Sequence, residues 1–252
     1  MNIFHKVALQ GMKKSPTRTI VTVIGVILSA AMITAVAAFA VSLQTYMVKG
    51  AIEKYGDWHV EFPDVNHSFV QEQAGDQKVA STAAFENIGY AELDGGKNPE
   101  KPYLFVAGFT KEAFHTLPVD LVSGRLPEND GEIVVPAHLE ANGGVKYTVG
   151  QTLSFAVGSR MEDGRELSQH DSYMSGKKKG TVKEKLVPKG QKSYKIVGIC
   201  ERPSFEEYAA PGYTMITTAD SDNPAGSLSA FITLANPRDI HDYTSKAAKN
   251  HA

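Results

Sequence analysis

The sequence predicts an α+β protein: one N-terminal transmembrane helix, then a mixed α/β extracytoplasmic domain with a β-rich middle subdomain. Three observations predict it. Thr19–Leu43 contains no Asp, Glu, Lys or Arg, and the uncharged run continues to Val48. A hydrocarbon core of roughly 30 Å is crossed by about 20 mostly apolar helical residues, so this run is long enough. Beyond it, short stretches of strand-type alternation recur from Trp58 to Ala235, with a few short helical signals scattered among them. Strands and helices that do not alternate regularly belong to the α+β class.

The organisation that follows is a cytoplasmic leader at Met1–Arg18, a transmembrane helix at Thr19–Val48 and an extracytoplasmic domain at Lys49–Ala252. Within the leader, Ile3, Phe4, Val7 and Ala8 fall at helical spacing with Lys6 and Lys13 off the stripe, so Met1–Lys14 reads as an amphipathic helix on the inner leaflet. Ser15-Pro16 breaks it, and Pro16 suits the first turn of the next helix. Lys6, Lys13, Lys14 and Arg18 precede the span with no acidic residue beside them, whereas Lys49, Glu53 and Lys54 beyond it mix signs. Positive charge flanking a span stays cytoplasmic, which places the N-terminus inside and the main domain outside. Ala38-Phe39-Ala40 resembles a signal cleavage site, but the apolar run exceeds the 7–15 residues or so of a signal core, so a retained anchor is expected. Gly25, Ser29, Ala30, Thr34 and Ala38 lie at near-helical spacing; they either seat a second helix or are simply small residues of an anchor.

Outside the span, Trp58–Phe62 alternates as a strand, and Asn66–Gln73 is a short helix. Lys78–Leu93 is β-rich and ends at the turn Asp94-Gly95-Gly96. Pro102–Gly108 is an apolar strand, followed by a helical turn at Thr110–Thr116. Glu132–Val135 is a short strand, Pro136–Ala141 a helical turn and Gln151–Val157 another alternating strand. Ser159–Gln191 carries Lys177, Lys178, Lys179, Lys183, Lys185 and Lys189 with few large apolar residues; it reads as a lysine-rich, solvated hairpin or insertion. Ser193–Cys200, Tyr213–Thr218 and Ser229–Ala235 are strand-like. Asn236-Pro237-Arg238-Asp239 opens a final helix, since Asn caps, Pro fits the first turn and Asp suits the positive end.

Composition excludes some function classes. With 26 basic and 28 acidic residues the chain has no basic footprint, so nucleic acid is not an expected partner. The single cysteine, Cys200, leaves no internal disulfide, and its apolar setting Ile196–Cys200 suits a buried thiol. A GxxxxGK[ST] loop is absent, so ATP binding by that route is not available; GxSxG, HExxH and GxGxxG are absent too. Asp57 and His59 would share a strand face, with Trp58 between them and His67 nearby, and His138 stands near Glu140. No third ligand completes either pair, so these histidines are expected to be solvated or hydrogen-bonded rather than metal-bound. His170-Asp171 is expected to face solvent, and neither Ser204 nor Ser227 has a catalytic context. The expectation is a non-enzyme with no catalytic, cofactor-binding or metal-ligating residue.

Two segments together resemble a known family. Ala8–Thr19 (ALQGMKKSPTRT), followed by a span opening at Ile20–Val26 with Gly25, resembles the start of MacB/FtsX-type ABC transporter permeases, where a "K-x-x-x-R-T" element and a "T-x-x-G" opening recur. Leu121–Pro127 (LVSGRLP), Gly131–Val135 (GEIVV), Val149–Leu153 (VGQTL) and Tyr194–Ile199 (YKIVGI) are similar, in that order, to the extracytoplasmic core domain of that family. The resemblance implies a permease subunit, or its N-terminal portion, that couples ATP hydrolysis by a separate P-loop ABC ATPase to export or mechanotransmission. It implies as partners the remaining permease spans or a second permease copy, and the lipid bilayer. Family permeases carry further spans after this domain; no second apolar run precedes Ala252, so a truncated or split permease is expected. The alternative is a single-span sensor or ligand-binding module. Within the motifs, Gly124 would turn the chain, Gly150 would break it before a strand, and Gly198 would mark a bulge or close backbone approach.

Overall fold

The computed structural model describes residues 10–173, 184–219 and 226–251. The leader helix expected over Met1–Lys14 lies mostly outside them; residues 10–14 are helical, and Ser15 interrupts before the next helix begins. The lysines at 177, 178, 179 and 183 also lie outside. The chain divides into two units, Met1–Ala51 and Ile52–Ala252.

Helix α1 runs from Pro16 to Tyr55 and buries none of its residues. It is long and apolar enough to cross a membrane. Four of its hydroxyls are satisfied within the helix: those of Thr22, Ser29, Thr34 and Thr45 each donate to the carbonyl four residues back at 2.9 Å. Lipid offers no partner for a stray hydroxyl, so this arrangement removes the main cost of those residues in a span. The helix ends where Gly56 takes φ +94° and donates to the Ile52 carbonyl at 2.8 Å, and Trp58 Nε1 caps the Tyr55 carbonyl at 2.7 Å.

The second unit is built on β1 (Val60–Val65), α2 (His67–Ala74), β2 (Val79–Glu92), β3 (Tyr103–Phe109), α3 (Lys111–Thr116), β4 (Leu121–Gly124), β5 (Glu132–Pro136), β6 (Thr152–Glu162), β7 (Arg165–Leu167), β8 (Glu184–Cys200), β9 (Gly212–Thr218), β10 (Leu228–Leu234) and α4 (Ile240–His251). A π-turn covers Leu139–Gly143, and a 3-10 turn at Pro237–Asp239 leads into α4. The side chains of Asn66, Thr110 and Asn236 cap the starts of α2, α3 and the 3-10 turn, as short polar side chains do when they accept from otherwise unpaired N–H groups.

The sheet follows the order β1-β10-β2-β3-β9-β5-β8-β6-β7, with β4 added to β8. A further pairing of Tyr90 with Gly158 joins β2 to β6, so the strands from β2 to β6 along this path close on themselves. β3 pairs parallel with β9, and β5 pairs parallel with β8. β3 is buried throughout, and its alternation serves two cores. Leu104 and Val106 join Ile133, Ile196, Tyr213 and Met215 on one face. Tyr103, Phe105, Ala107 and Phe109 join Phe85, Ile216 and Phe231 on the other. β10 likewise sends Phe231 to this second core, and Ile232 and Leu234 to a third with Val60 and Tyr243. In the second core Phe85 lies 5.4 Å from Phe109, 5.6 Å from Phe231 and 5.2 Å from Phe205, centroid to centroid. Each such buried ring contributes about 1.5–3 kcal/mol.

The motif residues acquire physical roles. Gly124 sits at φ +80°, and a Cβ there would lie 2.2 Å from the Val197 carbonyl oxygen. Opposite it, Gly198 pairs with Gly124 in the β4–β8 register, and the β5–β8 register slips at the same point, giving both the bulge and the close approach expected of Gly198. Arg125 grips Glu132 with two bonds of 2.7 and 2.5 Å, and the Glu128 amide adds a third at 3.0 Å. Their spacing of seven residues therefore closes the turn between β4 and β5.

Three features depart from expectation. β4 and β7 are strands that the sequence did not announce. The helical turn expected at Pro136–Ala141 falls at Leu139–Gly143. The polar stretch from Ser159 is not uniformly solvated: Ser159–Glu162 continues β6, Glu184–Gln191 belongs to β8, and the two run antiparallel with Arg160 opposite Leu186 and Glu162 opposite Glu184. Arg160 is fully buried and Glu184 nearly so.

Candidate functional site

A cleft of about 580 Å³ in the second unit is walled by β1, β2, β6–β7 and the segments around Ser168–Asp171, Phe205–Glu207 and Gly226–Ser229. Its apolar lining is Phe85, Tyr90, Phe105 and Phe205. Its polar wall centres on His170. The Nδ1 of His170 lies 2.8 Å from Glu207 Oε1, and its Nε2 lies 3.6 Å from Glu61 Oε1. Burial pushes the Glu61 carboxyl above its ordinary value; His170 opposes this, and Glu207 and Asp64 reinforce it.

Local pairing holds the rest of the wall. Arg165 Nη2 meets Asp171 Oδ1 at 3.0 Å, and the Ser168 amide donates to Asp171 Oδ2 at 2.9 Å. Burial alone would raise the Asp171 carboxyl, but these donors bring it below the ordinary range. Glu166 is lowered chiefly by the Ser159 hydroxyl, with Lys189 at 3.3 Å assisting. Gln169 docks the turn like a strand residue: its Nε2 donates to the Gly212 carbonyl at 3.0 Å, and its Oε1 accepts from the Gly212 amide at 3.1 Å. Asp64, at φ +53°, accepts from Asn87 Nδ2 and Ser227 Oγ, each at 3.1 Å.

Beneath the cleft lies a buried ionic node. Glu206 Oε1 receives Lys101 Nζ at 2.5 Å and stands 2.9 Å from His138 Nε2, while its Oε2 accepts the Thr214 amide at 2.7 Å. Burial would raise this carboxyl, but the His138 bond and the Lys101 charge outweigh it and leave it lowered. The Lys101 ammonium also lies 5.0 Å from the Tyr213 ring centroid. A second buried centre is Arg160, whose Nε reaches Glu184 Oε1 at 2.6 Å and whose Nη1 and Nη2 bond the carbonyls of Ser168 and Asp171 at 2.6 and 3.0 Å. It therefore fixes the turn that carries His170.

The residues singled out from sequence are dispersed. His59 Nδ1 accepts the Leu234 amide at 2.9 Å, and the Asp57 carbonyl accepts from Thr233 Oγ1, so this pair ties β1 to β10. His67 lies 2.8 Å from Gln71 on α2. His138 and Glu140 part company: His138 turns to Glu206, and Glu140 pairs with Lys146 at 2.9 Å. His170 is not simply solvent-facing, because two carboxylates flank it. Ser227 meets Asp64 and Asn87, which form no nucleophile–base arrangement. Among the described residues, no group of three or more His, Cys, Asp or Glu is placed to hold a metal ion. Cys200 is fully buried, and burial is the main cause that pushes its thiol up to about 12. Lys101, Arg160, Glu184 and Glu206 escaped sequence reading, since their partners stand 24 or 105 positions away. The arrangement can position charges and rings around a bound or packed group.

Comparison with known proteins gives one family match: the family described as MacB-like periplasmic core domain, over residues 19–245. A search of the curated proteins finds no match. Similar solved structures include the extracellular domain of the noncanonic ABC-type transporter YknZ from Gram-positive bacteria, at 9% identity and TM-score 0.37 over 72% of this chain and 78% of that one. Another is the periplasmic region of MacB from Actinobacillus actinomycetemcomitans, at 10% identity and TM-score 0.40 over 75% of each chain. A third is a permease-protein domain from Porphyromonas gingivalis, at 11% identity and TM-score 0.36 over 76% of this chain and 72% of that one.

Proposed function

The chain belongs to the MacB-like periplasmic core domain family, and from that premise we propose that it is a permease subunit, or the N-terminal portion of one, in an ABC transport system. The observation that carries this reading is that the family match begins at residue 19, within α1, and runs on through the outer domain to residue 245. Membrane segment and domain thus form one inherited unit, which a detachable anchor on an unrelated body would not.

In this reading α1 crosses the cytoplasmic membrane with its N-terminus inside, as the flanking lysines and Arg18 favour. Lys49–Ala252 stands outside as a single functional domain. A separate P-loop ATPase hydrolyses ATP on the cytoplasmic side, and the resulting movement passes through α1 to the outer domain. The remaining permease spans move together with α1. The outer domain acts by being moved and by what it holds, not by chemistry of its own, which suits a site built from positioned charges and no nucleophile.

The test is affinity purification of the full chain from native membranes in mild detergent, with the remaining permease spans co-expressed. A protein bearing GxxxxGK[ST] should be recovered with it. Recovery of the intact, span-bearing chain with those spans but without any such ATPase would overturn the proposal and favour a single-span ligand sensor.

A further inference from the structure

A second cavity, about 480 Å³, lies within the Ile52–Ala252 unit between the end of α1, the Pro118–Asp120 segment and Cys200–Tyr208. Four observations bear on its occupant. The first is position. The uncharged run ends at Val48 and α1 continues to Tyr55, so Lys54 stands six residues, or about 9 Å of helix rise, past the last uncharged residue. The polar layer on each face of a bilayer is about 5–8 Å deep, so this wall of the cavity stands at the outer edge of the headgroups.

The second is unsatisfied polarity. The Ser204 hydroxyl is buried without a hydrogen-bond partner among the described residues. Among them, too, Lys54, Asp120 and Glu201 take part in no ion pair; the Lys54 ammonium has only the Tyr55 ring, 4.9 Å from its centroid. A buried hydroxyl left unpaired costs free energy that a ligand oxygen would recover. The third is Tyr208, a ring 92% exposed with the Arg202 guanidinium stacked 4.2 Å from its centroid. Amphipathic rings collect at membrane interfaces. Arg202 is itself held in place by donating to the Glu206 carbonyl. The fourth is charge balance. Lys54 and Arg202 line the cavity together with two carboxylates, Asp120 and Glu201, and Arg202 also has Glu206 Oε1 3.7 Å from its Nε, so the lining carries no excess of positive charge.

We propose that this cavity binds the headgroup of a zwitterionic phospholipid with a primary ammonium, placing its phosphate against Lys54, Arg202 and Ser204 and its ammonium against Asp120 and Glu201. The proposal rests on α1 being a membrane span. A lining without excess positive charge disfavours a purely anionic headgroup. Two carboxylates call for N–H donors, which a quaternary choline lacks.

The test uses the full chain incorporated into nanodiscs of equal parts phosphatidylethanolamine, phosphatidylcholine and phosphatidylglycerol, with retained lipid read by native mass spectrometry. Phosphatidylethanolamine should be retained about tenfold over each of the others, the ratio that 1.4 kcal/mol of added interaction gives. Lys54→Gln and Glu201→Gln, both at exposed positions, should each bring the ratio close to parity. Soluble glycerophosphoethanolamine should not compete. Equal retention of the three lipids, or unchanged preference in both variants, overturns the headgroup site while leaving the span intact. Full competition by the soluble compound overturns the assignment to lipid. Failure of the chain to enter nanodiscs overturns the span, and the headgroup site with it.

Discussion

Two guanidinium–carboxylate pairs help fix the Ile52–Ala252 unit, and they differ in every respect that matters. Arg125 and Glu132 are seven residues apart, with the arginine side chain 46% exposed and the bond closing a turn. Arg160 and Glu184 are 24 residues apart, with the arginine side chain wholly buried against Tyr90 and Tyr103 at 5.2 and 5.6 Å. The exposed pair acts locally, in high dielectric, where such bonds contribute little. The buried pair has lost its water and depends on each partner to offset that loss, so removing one partner should do far more harm. One pair shapes a connection; the other locks the pairing of β6 with β8 and the turn that carries His170.

The largest expected effect is therefore Arg160→Ala in the full chain in detergent micelles. It leaves Glu184 buried and uncompensated, and denaturant melts should show a loss of about 3–5 kcal/mol. The double variant Arg160→Met/Glu184→Gln should recover much of that loss, because what is removed is a stranded charge. If Arg160→Ala proved as mild as a surface change, the contrast between the two pairs would fail.

Next in size is Gly124→Ala beside the exposed pair. Its φ of +80° and a Cβ at 2.2 Å from the Val197 carbonyl oxygen leave no room, so a loss of more than about 1 kcal/mol is expected from the backbone alone. This would mean that the turn owes more to its glycine than to its ion pair.

Arg125→Ala should give the smallest shift in the melts, and its pH dependence sharpens the comparison. Two hydrogen bonds from Arg125 are the main cause that holds the Glu132 carboxyl at about 2, against an ordinary value of 4.5. A depressed carboxyl contributes stability fully above its unfolded value and loses it as pH falls through the folded one. The gap between wild type and Arg125→Ala should thus be constant above pH 4.5 and narrow steadily towards about pH 2. A gap that widened on acidification would contradict this assignment.

The same contrast explains what the sequence disclosed. Patterns set by near neighbours were legible: the uncharged run of α1, the short helix opening at Asn66, the cap Asn236, the apolar strand β3, the strand-like β10, and the LVSGRLP…GEIVV order whose seven-residue spacing is the Arg125–Glu132 turn. Features set by distant partners were not. Arg160 sits in a polar stretch that reads as solvated, and only strand pairing with Glu184's neighbourhood buries it. Glu206 meets Lys101 across 105 positions with no spacing rule to announce it. β4 and β7 were missed because they are short and largely exposed, and are strands by virtue of pairing with β8 and β6 rather than by their own composition. His170 had the same fate: its flanking carboxylates, Glu61 and Glu207, come from distant elements.

The central claim is a lipid-embedded helix carrying an outer domain, and thiol labelling tests it most directly. Cys200 is fully buried with a thiol pushed up to about 12, so the native chain offers a silent background. Glu128→Cys places a thiol where the side chain is 73% exposed. In spheroplasts whose membranes resist alkaline extraction of this chain, a membrane-impermeant maleimide should label Glu128→Cys before permeabilisation and leave the wild-type chain unlabelled. Labelling that required permeabilisation, or release of the chain by alkali, would contradict the account.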